Sequence, residues 1–289
     1  MVQAQFEAET VYDAAVFAES PRWHGEAFWF SDIGAGKVCR IGPDRRVDVV
    51  LGGLDTPSGL GWLPSGELIV ACIRPSTIYR VGADGIARSH FGPQDHGVIA
   101  TNDMATAGER SYVTCIGRLH KPGTSGEALR EPVGKILLLD HGQGECRTVA
   151  AGLRLPNGIA ITPDQRSVVV SEMGAGRLLK FGIEPDGSLS GPHEFARTPY
   201  AGDGICLDAE GGLWVGTTQD YFQRIDRDGR EAGRVAVPGW SCVAPMLGGP
   251  DGRSLLMAAY QMDSVDAMFD GTSRSRILVA RVEVPAAAG

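Results

Sequence analysis

Residues 157–172 read NGIAITPDQRSVVVSE: a polar residue, a short apolar run, a turn built on Pro and Asp, and a second apolar run. The same order of features occurs six times along the chain. The polar residues that open the six copies are Glu19, Ser58, Asn102, Asn157, Asp203 and Ser241. A further pair of apolar segments follows most copies, with Asp-Gly turns of the kind that connects β-hairpins. Each copy therefore predicts a unit of about four short β-strands.

The spacing of the copies predicts the architecture. Successive opening residues are 39, 44, 55, 46 and 38 positions apart, and about 40 residues with four strands is the size of a β-propeller blade. We therefore expect an all-β, six-bladed β-propeller with a central channel, formed by residues 1–289 as one domain. A solenoid of β-repeats is the alternative, but its terminal repeats would be atypical, and here the first and last copies are ordinary.

Two further expectations concern the ends of the ring and the helices. A spare segment at residues 7–11 is expected to close the ring as the outer strand of the last blade, beside residues 276–284. Helix is expected only near residues 125–130 and 261–270.

Composition and charge exclude several other classes. With 40 glycines and 17 prolines the chain is not a helical bundle, and its 43% hydrophobic residues exclude global disorder. The net charge of −8 disfavours a nucleic-acid partner. No apolar run resembles a membrane helix or a leader peptide, so we expect a cytoplasmic protein without a membrane partner.

The six cysteines form no CxxC pair and are expected to be buried free thiols. The oligomeric state stays open.

The six opening residues are candidate ligands of a metal ion. In a propeller the first strand of each blade lines the channel, so equivalent positions form a ring. This ring holds two carboxylates, two carboxamides and two hydroxyls. Buried carboxylates need a counter-charge, and oxygen ligands suit Ca²⁺, Mg²⁺ or Mn²⁺, with Zn²⁺ also possible. The alternative is that these polar residues only cap turns, as Asn, Asp and Ser often do.

Three segments resemble a known family. AESPRW at 18–23, LPNGIAITPD at 155–164 and DGICLDAEGGLWVG at 203–216 are similar to signature segments of the SMP-30/gluconolactonase/luciferin-regenerating-enzyme family. The resemblance implies a six-bladed propeller and a lactonase that depends on one divalent metal ion, with Ca²⁺ first. It implies that Glu19, Asn157 and Asp203 hold the metal, with Asn102 near the metal or the substrate. Asp203 or a metal-bound water is then expected to drive attack on a small-molecule lactone.

The chain departs from this family at one position. Sugar-lactonase members resemble R-x-N-D in the third blade, where the Arg binds substrate hydroxyls, and this chain has Ala100 there. We therefore expect a smaller or more apolar lactone than a sugar lactone. The expected substrate-binding residues at the mouth of the channel are Asn102, Arg118, Tyr221 and Trp240. The long insertion at 116–132 is either a lid or a plain surface loop.

Two other functions remain open at this stage. Similar propellers hydrolyse organophosphate esters with the same metal and Asp. A binding propeller with a purely structural metal is the second alternative, because fold alone does not determine function. The chain contains no GxSxG and no HExxH motif, which disfavours a serine hydrolase and a histidine-bound zinc site.

Overall fold

The computed structural model describes residues 4–92, 97, 100–117 and 131–287. It confirms the all-β, six-bladed β-propeller. Two N-terminal strands, β1 (Ala4–Phe6) and β2 (Ala8–Ala15), precede the first complete blade. Each blade is an antiparallel meander, so its first strand lies at the channel and its last strand lies outside.

The strands of the six blades follow one another in chain order. Blade one contains β3 (Ala18–His24), β4 (Ala27–Asp32), β5 (Lys37–Ile41) and β6 (Val47–Leu51). Blade two contains β7 (Pro57–Trp62), β8 (Leu68–Cys72), β9 (Thr77–Val81) and β10 (Ala87–Phe91). Blade three contains β11 (Thr101–Ala107), β12 (Arg110–Cys115), β13 (Gly134–Asp140) and β14 (Glu145–Leu153). Blade four contains β15 (Pro156–Ile161), β16 (Ser167–Glu172), β17 (Arg177–Ile183) and β18 (Leu189–Arg197). Blade five contains β19 (Ile205–Leu207), β20 (Leu213–Gly216), β21 (Tyr221–Ile225) and β22 (Glu231–Ala236). Blade six contains β23 (Ser241–Gly248), β24 (Ser254–Gln261) and β25 (Arg274–Arg281).

The ring closes through the N-terminal segment. Strand β2 pairs antiparallel with β25 and completes blade six, which confirms the predicted closure. Strand β1 pairs in parallel with β22 and adds a fifth strand to blade five, a contact that the sequence did not indicate. The N-terminal segment thus supplies the outermost strands of both blade five and blade six.

Helix is sparse in the described part of the chain. A short helix α1 (Ala267–Asp270) lies in the loop between β24 and β25, within the expected range, and one 3-10 turn covers Met173–Ala175. The other expected helix, at 125–130, falls outside the described residues. Among the residues described, no helix has the length and apolar character needed to cross a bilayer.

Apolar side chains fill the space between neighbouring blades. Trp214 and Phe222 of blade five contact Leu255 and Met257 of blade six, and all four are fully or almost fully buried. All six cysteines are free thiols, five of them buried and Cys146 half-buried, so the expectation of a reduced core is confirmed. Packed interfaces of this kind hold each inner strand at a fixed distance from the channel axis.

Candidate metal centre

The strand register explains why the opening residues share one position. In blades three and four, Thr101 pairs with Cys115 and Pro156 pairs with Glu172, at the mouth end of the two inner strands. The predicted ligands, Asn102 and Asn157, come immediately after Thr101 and Pro156 in the sequence. A β-bulge follows before regular pairing resumes, and bulges are a common way of re-aiming a side chain beside a functional site.

Blade six departs from the predicted ring. Ser241 pairs with Tyr260. The bulge in blade six lies at Val243, between Cys242 and Ala244, and the carbonyl of Val243 accepts the N–H of Gly204 as that of Asp203 accepts the N–H of Gly158. The residue equivalent to the ligands is therefore Val243, which is fully buried in an apolar cluster with Phe17 and Ala100. The prediction that Ser241 belongs to the ring is wrong, because the ring position falls two residues later.

Contacts between inner strands connect the ring positions of neighbouring blades. The hydroxyl of Ser58 donates a hydrogen bond to Oδ1 of Asn102 at 3.3 Å and lies 3.5 Å from the hydroxyl of Ser20. The backbone N–H of Gly158 donates to the carbonyl of Asp203 at 3.2 Å. A Cβ at Gly158 would lie 2.6 Å from that carbonyl oxygen, so only glycine permits this close approach.

The two predicted carboxylate ligands are buried close to a third carboxylate, Asp103. Asp203 is 7% exposed, and its buried Oδ1 has no hydrogen-bond partner among the described residues. Burial, and then the charges of Glu19 and Asp103, raise the pKa of Asp203 well above its ordinary value. Burial and the charge of Asp103 raise the pKa of Glu19 to about 8, although the backbone N–H of Ser20 bonds its Oε2.

The positively charged side chain near these carboxyl groups, Arg22, already has its own partners. Arg22 forms an ion pair with Asp103, and its guanidinium also donates to the carbonyl of Met104 at 2.5 Å and to that of Leu60 at 3.2 Å. These contacts fix Arg22 in the channel wall below the ring. Its charge is matched mainly by Asp103, and its smaller effect on Glu19 does not offset the burial that raises the pKa of both predicted carboxylate ligands.

These observations fit a hard divalent cation. The chain offers two buried carboxylates, one with an orphaned oxygen, together with the carboxamides of Asn102 and Asn157. The amide nitrogen of Asn157 donates to the sulfur of Met173 at 3.6 Å, which leaves its oxygen as the free acceptor. No three His, Cys, Asp or Glu side chains group as a ligand set within the described ranges. The candidate centre therefore depends on combining carboxylate with carboxamide oxygens, as Ca²⁺ sites do.

A polar pocket opens beside this centre, between blades five and six. Its volume is about 670 Å³, and Trp240, Ser241 and Tyr260 are among its lining residues. Burial raises the pKa of Tyr260, and the charge of Asp203 raises it further, which places this phenol between the pocket and the carboxylates. The guanidinium of Arg276 lies 3.7 Å from the centre of the Trp240 ring and fixes that wall.

An apolar cluster adjoins this pocket, and Tyr260 and Met262 belong to both. Ala100 is fully buried in a cluster with Phe17, Ile33 and Ile73. Phe269 of the α1 loop packs against this cluster. The corner that a longer side chain at 100 would occupy is therefore filled by hydrophobic groups.

The remaining predicted substrate residues are placed as follows. Trp240 lines the pocket, whereas Tyr221 does not. Tyr221 packs edge-on against Tyr200 and carries the guanidinium of Arg234 at 4.2 Å. Arg118, and the insertion from 118 to 130, lie outside the described residues.

Sequence reasoning missed the Arg22–Asp103 pair, because 81 positions separate the two residues.

A family model and a curated relative match the chain. The model described as the SMP-30/Gluconolactonase/LRE-like region matches residues 17–261. The pentonolactonase of Haloferax volcanii is 30% identical over 143 residues, which cover 48% of this chain and 49% of that protein. The chain thus matches about half the length of this curated relative.

Two solved structures share the fold. A gluconolactonase from Xanthomonas campestris superimposes with a TM-score of 0.76 at 21% identity, covering 96% of this chain and 89% of that one. The calcium-binding protein regucalcin from Agrobacterium tumefaciens gives a TM-score of 0.75 at 19% identity, with 99% of each chain covered. At these identities the similarity shows the propeller fold.

Proposed function

This chain belongs to the SMP-30/gluconolactonase/LRE-like family, and on this premise we propose that it is a lactonase dependent on one divalent cation. The reaction opens a small lactone ring to a hydroxy acid. The relatives support the reaction class, since one is a pentonolactonase and another a gluconolactonase. Ca²⁺ is the first candidate ion, because a protein with this fold is calcium-binding, and Mg²⁺, Mn²⁺ and Zn²⁺ are the others.

The observation that carries the proposal is the orphaned Oδ1 of Asp203. A buried carboxylate oxygen without a partner costs free energy unless a cation or a donor meets it. Glu19, Asn102, Asn157 and Asp203 would hold the ion together. When bound, it would polarise the lactone carbonyl and stabilise negative charge that develops on the carbonyl oxygen.

The residues of the chain would then handle the proton. A water attacks the carbonyl carbon of the lactone, and Asp203 accepts the proton that this water loses. The bond between the carbonyl carbon and the ring oxygen breaks, and the proton on Asp203 passes to that oxygen. The products are one carboxyl group and one hydroxyl group on the same molecule, and Asp203 returns to its starting state.

The mouth of the channel would position the substrate. The cluster around Ala100 consists mainly of hydrophobic side chains, so it suits a ring with few hydroxyls. Trp240 and Tyr260 line the more polar side, where an aromatic face and a hydroxyl can orient a small ester. Asn102 lies at the third inner strand and can contact either the ion or the substrate.

A direct assay tests the proposal. The purified protein is treated with a chelator, and hydrolysis of an unsubstituted γ-lactone is followed in a pH-stat before and after Ca²⁺, Mg²⁺, Mn²⁺ or Zn²⁺ is restored. We expect turnover only with a cation. An aryl phosphate ester is tested in parallel. No lactone turnover with any cation would refute the proposal, and turnover of the phosphate ester alone would replace the substrate class.

A further inference from the structure

A second pocket at the mouth end of blade four is lined by charge. It has a volume of about 480 Å³. Its lining residues are Pro132, Gly152, Arg154, Glu172, Gly174, Ala175, Arg177 and Arg197. Three arginines thus face a single carboxylate, in a chain whose net charge is −8.

The single carboxylate organises the pocket. Glu172 is 1% exposed. Its Oε1 accepts the backbone N–H of Arg154 at 2.8 Å, and its Oε2 accepts Nε of Arg177 at 2.5 Å. The buried Glu172 therefore holds both arginine-bearing segments in place and neutralises one of the positive charges.

The remaining positive charge is not balanced within the described chain. Arg197 pairs with Glu194, but both side chains are well exposed, and such pairs contribute little. The guanidinium of Arg154 has neither a hydrogen bond nor an ion pair with any residue in the described ranges, and Arg154 is exposed. The pocket therefore presents guanidinium groups ready to bind an oxyanion in a bidentate manner.

One side chain, that of Met173, separates the pocket from the candidate metal centre. The sulfur of Met173 accepts a hydrogen bond from the amide nitrogen of Asn157 at 3.6 Å. The two residues next to Met173 in the sequence, Glu172 and Gly174, both line the pocket. Gly174 also donates its N–H to the carbonyl of Arg154 at 3.0 Å. A group attached to a substrate at the centre can extend past Met173 toward Arg154.

We propose that this arginine pocket binds an oxyanion, a phosphate or a carboxylate, carried on the substituent of the lactone. The inference rests on the proposed lactonase function and narrows its substrate class. The lactone ring lies against the apolar cluster around Ala100, and the charged end of its substituent lies on blade four. Arg154 is then a specificity-determining residue that takes no part in the attack of water.

The binding test is independent of catalysis. Binding of methyl phosphate and of acetate to the metal-loaded protein is measured by calorimetry for the unchanged protein, for Arg154→Gln and for Arg166→Gln. Arg166 is exposed in the turn between β15 and β16, at the opposite end of the same blade, and serves as the matched control. We expect Arg154→Gln to weaken the preferred anion at least about tenfold and Arg166→Gln to leave it unchanged. Equal affinity in all three proteins, or no binding of either anion, overturns the inference.

The kinetic test assigns the substrate class. Two γ-lactones with the same two-carbon arm are compared, one ending in a hydroxyl and the other in the preferred oxyanion. We expect the charged lactone to have the higher kcat/KM through a lower KM, and Arg154→Gln to lose this preference while kcat stays the same. A preference unaffected by Arg154→Gln overturns the assignment. Binding of methyl phosphate through Arg154 without any lactone turnover would refute the proposed lactonase and leave the oxyanion pocket standing.

Discussion

Burial, and then the charge of Glu19 in blade one, raise the pKa of Asp203 in blade five. The two carboxyl groups lie at the channel ends of blades that are far apart in sequence, and they meet only because the ring closes. Arg22 is paired with Asp103 and offsets only part of the rise in the pKa of Glu19. Burying two such carboxyl groups without a matching cation costs free energy, and in the proposed function a bound cation would remove that cost.

Asp203→Asn is expected to abolish most activity and to keep the fold. Asn preserves the shape and one ligand oxygen but cannot accept the proton from water, and loss of a general base costs about 10²–10⁴-fold in rate. The rate is measured at saturating cation, with circular dichroism to confirm folding. Asp13→Asn, at an exposed position in the outer strand β2, is the control. Turnover near that of the unchanged protein in Asp203→Asn would show that the base lies elsewhere.

Gly158→Ala is expected to destabilise the protein and weaken cation binding together. The new Cβ would lie 2.6 Å from the carbonyl oxygen of Asp203, so the inner strands of blades four and five must separate, at a cost of about 1–3 kcal/mol. Gly52→Ala is the control, because a Cβ at that position would meet no atom within 4 Å. Urea unfolding and cation titration measure both effects. Equal stability of the two variants would contradict the close packing.

In the cation-loaded protein, His141 is expected to contribute a loss of stability as the pH falls from about 6.5 to about 4. Burial, with the charges of His90 and Arg80, lowers the pKa of His141 from 6.5 to about 4, against the opposing effect of Asp140. In this pH window the unfolded chain therefore binds a proton at His141, whereas the folded chain does not. The contribution of His141 to stability is complete above the window and is lost as the pH falls through it.

Thermal unfolding from pH 7 to pH 4 checks this dependence. His141 lies 3.0 Å from His90 and 2.8 Å from the hydroxyl of Ser111 through its two ring nitrogens. We expect His141→Gln to flatten the pH dependence, and His193→Gln, at an exposed position, to leave it intact. A pH dependence that survives in His141→Gln would assign the loss to other groups.

Unsubstituted or alkyl γ- and δ-lactones are expected to be hydrolysed at least as well as gluconolactone. The cluster that buries Ala100 consists mainly of hydrophobic side chains, and an apolar pocket discriminates only weakly between substrates. The measurement is kcat/KM for gluconolactone beside an unsubstituted lactone of the same ring size. A preference for the sugar of more than about tenfold, roughly 1.4 kcal/mol, would show that another residue binds its hydroxyls.

The internal repeat made most of the fold predictable. Glu19, Ser58, Asn102 and Asn157 open copies with regular spacing, so the blades and their shared ring position follow from the pattern. The error at Ser241 has a specific cause: the β-bulge in the inner strand of blade six lies between Cys242 and Ala244, so Val243 takes the ring position that the polar residue opening the copy was expected to hold. Sequence spacing does not record a bulge.

Contacts made only by ring closure could not be predicted. Arg22 and Asp103 are 81 positions apart, and the two segments that contain them give no sign that they pair. The parallel pairing of β1 covers only three residues, too few to leave a pattern. The arginine pocket likewise combines loops and strand ends of blades three and four, from Pro132 to Arg197, which approach each other only in the folded chain.

A crystal structure of the calcium-loaded protein tests the central claim most directly. We predict one ion on the channel axis, with oxygens of Glu19, Asn102, Asn157 and Asp203 around it at about 2.3–2.6 Å. Loss of that ion in Glu19→Gln, with the propeller unchanged, would agree with the account. An ion bound elsewhere, or four side chains directed into different cavities in the presence of Ca²⁺, would contradict it.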